Sequence, residues 1–316
     1  MILCAGENLI DMIQTDTPAQ GVPEFRALIG GSPYNCARAL ARLGAPVGYL
    51  TPVSTDRMGD LLAAGLKGDG VAILGGRSDR PSSLALVALE NGQPRYQFYR
   101  EGVADRDVTV EALVAALPAD AQALQLGSIA LIAGPDADAL VTLAETARDR
   151  GLLVSLDPNI RPILVGTHAD AYRARLERLF AATDLIKLSD EDLVWWAPDH
   201  EVEAAAQALF DAAKPAVLIL TRGAQGAVAF GPWGRLDLPA APLDTLVDTV
   251  GAGDTFMAAM LDGLRRESAL TRDALATLSA DRLRALMARA AQAAAITCSR
   301  AGCNPPTHAE LQAQGA

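Results

Sequence analysis

Between residues 123 and 220 the chain alternates short apolar runs with longer helical stretches, a pattern that few folds satisfy. Residues 123–126, 152–156, 184–188 and 216–220 read as strands, with helices over 136–150, 169–181 and 201–213 between them. The strands are mostly apolar throughout and do not alternate, so both of their faces must be covered. A parallel sheet built from βαβ units does this. Composition points the same way, because half the residues are apolar but only 4% are aromatic. Alanine and leucine fill the apolar share, which favours helices packed on a sheet over an all-β sandwich. The expected fold is α/β, a central, mostly parallel sheet with helices on both faces.

The flanks extend this pattern. Residues 1–5 and 47–53 read as strands, and 34–43, 58–67, 254–266 and about 280–295 as helices. Ser32 and Pro33 stand in cap and first-turn positions of the helix over 34–43, and Gly44 closes it. Two stretches, about 9–29 and 82–100, are irregular and extended. In the second, runs 83–90 and 95–100 flank Asn91-Gly92-Gln93-Pro94, a hairpin signal. We expect these stretches to form a small β-structured lid on the α/β body. With no fixed-period repeat, linker or break in composition, residues 1–316 read as one domain.

Charge and residue usage exclude several kinds of function. Against 27 basic residues stand 38 acidic ones, a net charge of −11 that repels nucleic acid and anionic membranes. A small anion is still admissible, since local backbone dipoles can override the global field. Four scattered cysteines and three distant histidines give no zinc pattern and little material for Ser-His-Asp hydrolysis. No run of ~18 apolar residues is present and the N-terminus lacks a basic leader, so a cytoplasmic protein is expected. The only lysines are Lys67, Lys187 and Lys214, and no G-x-x-x-x-G-K-[ST] occurs, so there is no P-loop.

The richest segment is DTVGAGDTFMAAM, starting at Asp248. Without bulky side chains, the amides of Gly251, Ala252, Gly253 and Asp254 can converge on one point at a helix N-terminus, a cradle for negative charge. An acid there could accept a hydroxyl proton while the amides steady a moving phosphoryl group. The cradle should hold Asp254 ionised and therefore weakly basic. A glycine turn with Asp254 as an ordinary cap is the other reading. Gly30 and Gly31 precede a helix whose first turn offers Asn35, and Asp11 lies in the first irregular stretch. Fixed polar groups of this kind suit sugar hydroxyls, although a plain helix start would look similar.

GGSPYNCARALARLGAPVGYLTPVSTDRMGD and DTVGAGDTFMAAML resemble the two signature segments of the ribokinase-like, or phosphofructokinase-B-type, sugar kinases. The resemblance runs through nearly the whole chain. It implies a ribokinase-like fold with a β-lid over the sugar, and ATP- and Mg2+-dependent phosphorylation of a sugar hydroxyl. Asp254 then resembles the base, Gly251, Ala252 and Gly253 the anion hole, and Asp11, Gly30, Gly31 and Asn35 the sugar-binding set. The segment TRGAQG, with Thr221, Gly223 and Gly226, is similar to the nucleotide-phosphate loop; a simple turn glycine is its alternative. Segments closing the second lid stretch and following the strands at 126 and 156 look more like fructokinases than ribokinases or adenosine kinases. Arg100 and Arg161, within those segments, are candidate partners for substrate or phosphate, with surface solvation the alternative.

One motif departs from the family. Where Asn-x-x-Glu usually organises the magnesium-bound phosphates, this chain has Lys187, Leu188, Ser189, Asp190, Glu191 and Asp192. Lys187 and Ser189 are assigned to the nucleotide, and Asp192 or Glu191 to the metal side. Some family members need a monovalent cation, K+, which Asp248 and carbonyls near residues 300–302 would hold. Exposed lid strands could also pair between two subunits, giving a homodimer. The expected activity is fructokinase, D-fructose to fructose 6-phosphate, with 2-keto-3-deoxygluconate kinase as the near alternative. A dinucleotide-dependent oxidoreductase and a non-catalytic sugar sensor are the rivals from other classes.

Overall fold

The computed structural model describes residues 1–16, 22–90 and 93–313. Nine strands form the main sheet, in the order Gly234–Leu238, Ala227–Gly231, Val217–Thr221, Leu185–Ser189, Leu153–Asp157, Ala123–Gly127, Ile2–Ala5, Val47–Tyr49 and Ala72–Ile73. Seven of them pair in parallel. The hairpin of Ala227–Gly231 and Gly234–Leu238 adds an antiparallel edge that the sequence reading lacked. Its turn, Pro232-Trp233 between two paired glycines, breaks the βαβ rhythm.

Successive residues of the first strand show why both faces are covered. Ile2 and Cys4 join one buried cluster with helices Ser32–Arg42, Arg57–Gly68, Ala252–Arg266 and Ala280–Cys298, while Leu3 and Ala5 join another. That second cluster includes Pro135–Asp149, Ala169–Ala182 and Val202–Ala213. A strand with side chains alternating between two dry layers must be apolar at every position.

The lid stretches pair into a separate four-stranded sheet. Leu9–Asp16 runs antiparallel to Glu24–Gly30 and parallel to Ser83–Glu90, which runs antiparallel to Gln93–Tyr99. Gln93 and Pro94, expected in the hairpin turn, instead pair with Glu90 and Leu89 as the start of the last strand; Asn91 and Gly92 lie outside the described residues, as do positions 17–21 of the first stretch. The strand expected over 47–53 is split. Val47–Tyr49 stays in the main sheet, whereas Val53–Ser54, beyond the N–H-free Pro52, pairs with Arg77–Ser78.

Two helix starts also differ from expectation. Gly31, at φ 108, caps helix Ser32–Arg42, and Ser32 makes no cap bond. Helix Ala252–Arg266 begins two residues before Asp254, behind Gly251 in the left-handed region at φ 78.

Candidate active site

Gly251 is required on two counts. Its φ of 78 suits glycine, and a Cβ there would lie 2.2 Å from Cys303 Sγ. The turn it makes leaves the first amides of helix Ala252–Arg266 without helical acceptors, at the positive end of the dipole. The Ala252 N–H departs from the expected cradle, turning to the Thr249 carbonyl at 3.2 Å. Beside the cradle stands a cation, for a Cβ on Gly253 would meet Lys187 Nζ at 2.9 Å. Lys187 donates to Asp157 Oδ2 at 2.7 Å, and both residues are buried. Burial alone would lower the Lys187 ammonium, but Asp157, Asp192 and Asp254 more than reverse this and keep it charged.

Asp254 is 7% exposed and held from the other side of the molecule. Ser32 Oγ donates to its Oδ1 at 2.6 Å and Asn35 Nδ2 to its Oδ2 at 2.9 Å. Burial pushes the carboxyl up to about 6, although the bonds from Ser32 and Asn35 and the charge of Lys187 all act downward. This corrects the expectation of a weakly basic carboxylate. Desolvation outweighs the donors, leaving a group mostly ionised at neutral pH and a much better proton acceptor than an exposed aspartate.

On the lid side, Gly30 lies against Asp11, since a Cβ there would stand 2.3 Å from Asp11 Oδ2. Burial, with Glu7 adding repulsion, pushes Asp11 to about 6. Asn35 Oδ1 is buried without a hydrogen-bond partner, an acceptor awaiting a donor. Arg100 Nη2 donates to Asp105 Oδ2 at 2.7 Å and Nη1 to the Ile129 carbonyl at 3.2 Å, which fixes it over the loop after strand Ala123–Gly127. Arg161 is placed differently. It is exposed, and its Nη1 folds back onto the carbonyls of Asn159 and Ile160. Glu7 was not predicted from the sequence. It is buried, its Oε1 accepts from Ser32 N at 2.9 Å, and its Oε2 accepts from Ala130 N at 3.3 Å.

A cavity of about 490 Å³ runs from Thr221, Gly223 and Gly226 to Ala252 and Gly253. The nucleotide-loop candidates and the anion cradle therefore share one space. Its walls include Phe256 from helix Ala252–Arg266 and Ala291 from helix Ala280–Cys298, and Leu243 and Leu246 from the segment after the antiparallel hairpin that the sequence reading lacked. Gly226 has φ 85, and a Cβ on it would meet the Leu238 carbonyl at 2.1 Å.

Ser189 and Asp192 form a capping box on helix Asp190–Trp196. Asp192 Oδ2 accepts from Ser189 N and Oγ, both at 2.7 Å, and Oδ1 accepts from Ile160 N at 2.6 Å. Asp192 is thus a strut tying the loop after strand Leu153–Asp157 to its neighbour, and Glu191 is exposed. Asp157 Oδ1, by contrast, is buried and unpartnered. Among the described residues, no three acidic, histidine or cysteine side chains gather to hold a metal alone. Asp248 Oδ2 accepts from Gly302 N at 2.8 Å, so it does lie beside the loop at residues 300–302. Among the described residues, no helix is long and apolar enough to cross a membrane.

The chain resembles known proteins over almost all of its length. Residues 1–310 match the pfkB family carbohydrate kinase description. A fructokinase of Rhizobium leguminosarum bv. trifolii is 40% identical over 291 residues, covering 90% of this chain and 86% of the relative. Probable fructokinase-4 of Arabidopsis thaliana is 30% identical over 319 residues, 99% of this chain and 95% of the relative. A crystal structure of fructokinase with bound ATP from Xylella fastidiosa superposes with a TM-score of 0.89 at 28% identity, covering 100% of this chain and 99% of that one. With Asp254 beside that cavity's Gly253 and held by Ser32 and Asn35, the family match over residues 1–310 and the 40% identical relative place the chain in the pfkB family of carbohydrate kinases.

Proposed function

We propose that the protein is a fructokinase, transferring the γ-phosphoryl group of ATP to the 6-hydroxyl of D-fructose. One observation carries the reading. Asp254 is bonded to Ser32 and Asn35 on the acceptor side and lies next to Gly253 on the wall of the cavity. The carboxylate is thus where acceptor and donor would meet. The sugar hydroxyl gives its proton to Asp254, and its oxygen attacks the γ-phosphorus. The bond from that phosphorus to the bridging oxygen breaks, and ADP leaves. The cradle amides and Lys187 face the charge on the transferring oxygens. Asp11, Gly30, Gly31, Asn35 and Arg100 are the acceptor-binding set in this reading, with Arg161 assigned to substrate or phosphate. The lid excludes water, the competing acceptor.

The donor set fits a magnesium ion that arrives with the nucleotide and is reached mainly through water. Asp157, with its free oxygen, is the best-placed side chain, ahead of Asp192 and Glu191. The ion supplies charge neutralisation on the phosphates. Asp248 with the 300–302 loop is the place for a potassium ion. The exposed rings of Tyr96 and Tyr99 on the lid's outer strand suit pairing with a second copy. Lid and body are taken as one domain over residues 1–316, acting in the cytoplasm, where ATP is supplied.

A coupled ADP-release assay against fructose, 2-keto-3-deoxygluconate, ribose and adenosine tests the substrate. Fructose should have the highest kcat/KM by at least about 10-fold. A higher value for any other acceptor overturns fructose as the substrate, and no ADP release with any of them overturns the kinase reading.

A further inference from the structure

We infer that Ser32 is a positioning residue for Asp254, its hydroxyl fixing one carboxylate oxygen so that the acid meets the sugar hydroxyl in a single orientation. The inference rests on the reading of Asp254 as the base. At 2.6 Å, the Ser32 Oγ to Asp254 Oδ1 contact has the length of a hydrogen bond to an ionised acceptor. A serine at a helix start ordinarily spends its hydroxyl on the helix's own amides. Here Gly31 takes the cap position, and the Ser32 side chain caps nothing. The hydroxyl is instead committed to a residue 222 positions away.

Ser32 is also secured from behind. Its amide donates to Glu7 Oε1 at 2.9 Å, and Glu7, 1% exposed, is itself anchored through Ala130 N. Gly31 permits this approach, because a Cβ there would lie 2.4 Å from the Glu7 carbonyl oxygen. The chain from Glu7 to Ser32 to Asp254 is continuous and mostly buried.

The two donors on Asp254 differ in what else they can do. Asn35 carries a second, unsatisfied polar atom, Oδ1, and can share itself with a ligand. Ser32 has a single proton to donate, and Asp254 takes it. A sugar hydroxyl on Asn35 Oδ1 would pull on the amide that also holds Asp254 Oδ2, whereas the Ser32 bond holds Oδ1 independently of it. The other titratable groups around Asp254 are Lys187 and Asp157 from two neighbouring strands, the Cys36 thiol from helix Ser32–Arg42, and the Cys303 thiol from the C-terminal segment. Ser32 acts to lower the carboxyl against the burial that raises it, so its removal raises the group further.

The test compares Ser32→Ala and Ser32→Thr with the wild-type protein in kcat and kcat/KM profiles from pH 5 to 9. For Ser32→Ala we expect kcat at pH 7 to fall between about 10- and 100-fold, with the sugar KM within about threefold. Its acid limb should move up by roughly one pH unit, as for the loss of one hydrogen bond to an ionised carboxylate. Ser32→Thr, which keeps the hydroxyl, should restore both. An acid limb coincident with the wild type, or a change confined to KM, overturns the inference. If the alanine variant does not fold, Ser32→Cys decides, because a thiol is a weak donor. It should show the same displacement, and a wild-type limb would overturn the role. A wild-type protein without sugar-dependent ADP release would instead overturn the kinase reading itself.

Discussion

Replacing Asp254 by asparagine should make the protein inactive and, at neutral pH, more stable. The carboxyl rises from 3.8 in an open chain to about 6 in the fold, mainly through burial. Because the folded-state value is the higher one, ionised Asp254 opposes folding above pH 6, and the penalty fades as pH falls from 6 towards 4. Two pH units at about 1.4 kcal/mol each give a penalty of about 3 kcal/mol at pH 7.5. Asparagine removes the charge but turns an amide N–H₂ toward one of the two donors, Ser32 Oγ or Asn35 Nδ2, costing about 1–1.5 kcal/mol. The net gain is about 2 kcal/mol, a few degrees in a chain of this size. At pH 4.5 the charge penalty is only about 1 kcal/mol, and the gain should vanish. Differential scanning calorimetry at both pH values, alongside the ADP-release assay, checks this. Turnover should fall by at least about 10³-fold, the loss expected with the general base and its positioning together. A variant with near-normal turnover refutes the assignment of the base. An unchanged or lower melting temperature at pH 7.5 refutes the argument that the acid is held at a cost to stability.

Gly251→Ala should lower turnover by at least about 100-fold and reduce the melting temperature, because the new methyl meets Cys303 Sγ at a left-handed position; wild-type values in calorimetry and the ADP-release assay would refute the cradle's geometry. Lys187→Met should destabilise the fold by about 3–5 kcal/mol in urea titration by leaving Asp157 buried and uncompensated. Adding Asp157→Asn should restore most of that stability without restoring turnover, and a double variant that regains activity would remove Lys187 from the chemistry.

The main sheet was legible because its strands are dry on both faces, which stamps an unbroken apolar run on residues such as 216–220. The antiparallel hairpin after them was not, because a turn of proline and tryptophan carries none of the usual hairpin signals. At the site, glycines and the acid of residues 251–254 could be found from local sequence, since their constraint is local: a turn, a helix start, a close approach. Ser32, Glu7 and the Lys187–Asp157 pair could not. Local rules assign Ser32 to a cap, yet the bond that defines it spans 222 positions. The Lys187–Asp157 pair spans 30 and needs two adjacent parallel strands to be known first. The spacing of Asp192 suits a metal-side acid, and local sequence did not reveal that it also closes its own helix.

The length of the Ser32–Asp254 and Asn35–Asp254 connections has a consequence for how the molecule is made. A ribosome delivers the N-terminal part first. Ser32 and Asn35 emerge more than two hundred residues before position 254, and the cradle's packing partner Cys303 comes later still. A nascent chain that stops short of residue 251 lacks both Asp254 and the glycine turn that starts its helix. In the proposed reading such a fragment spends no ATP, and phosphoryl transfer waits until residues 251–254 and Cys303 have all been made.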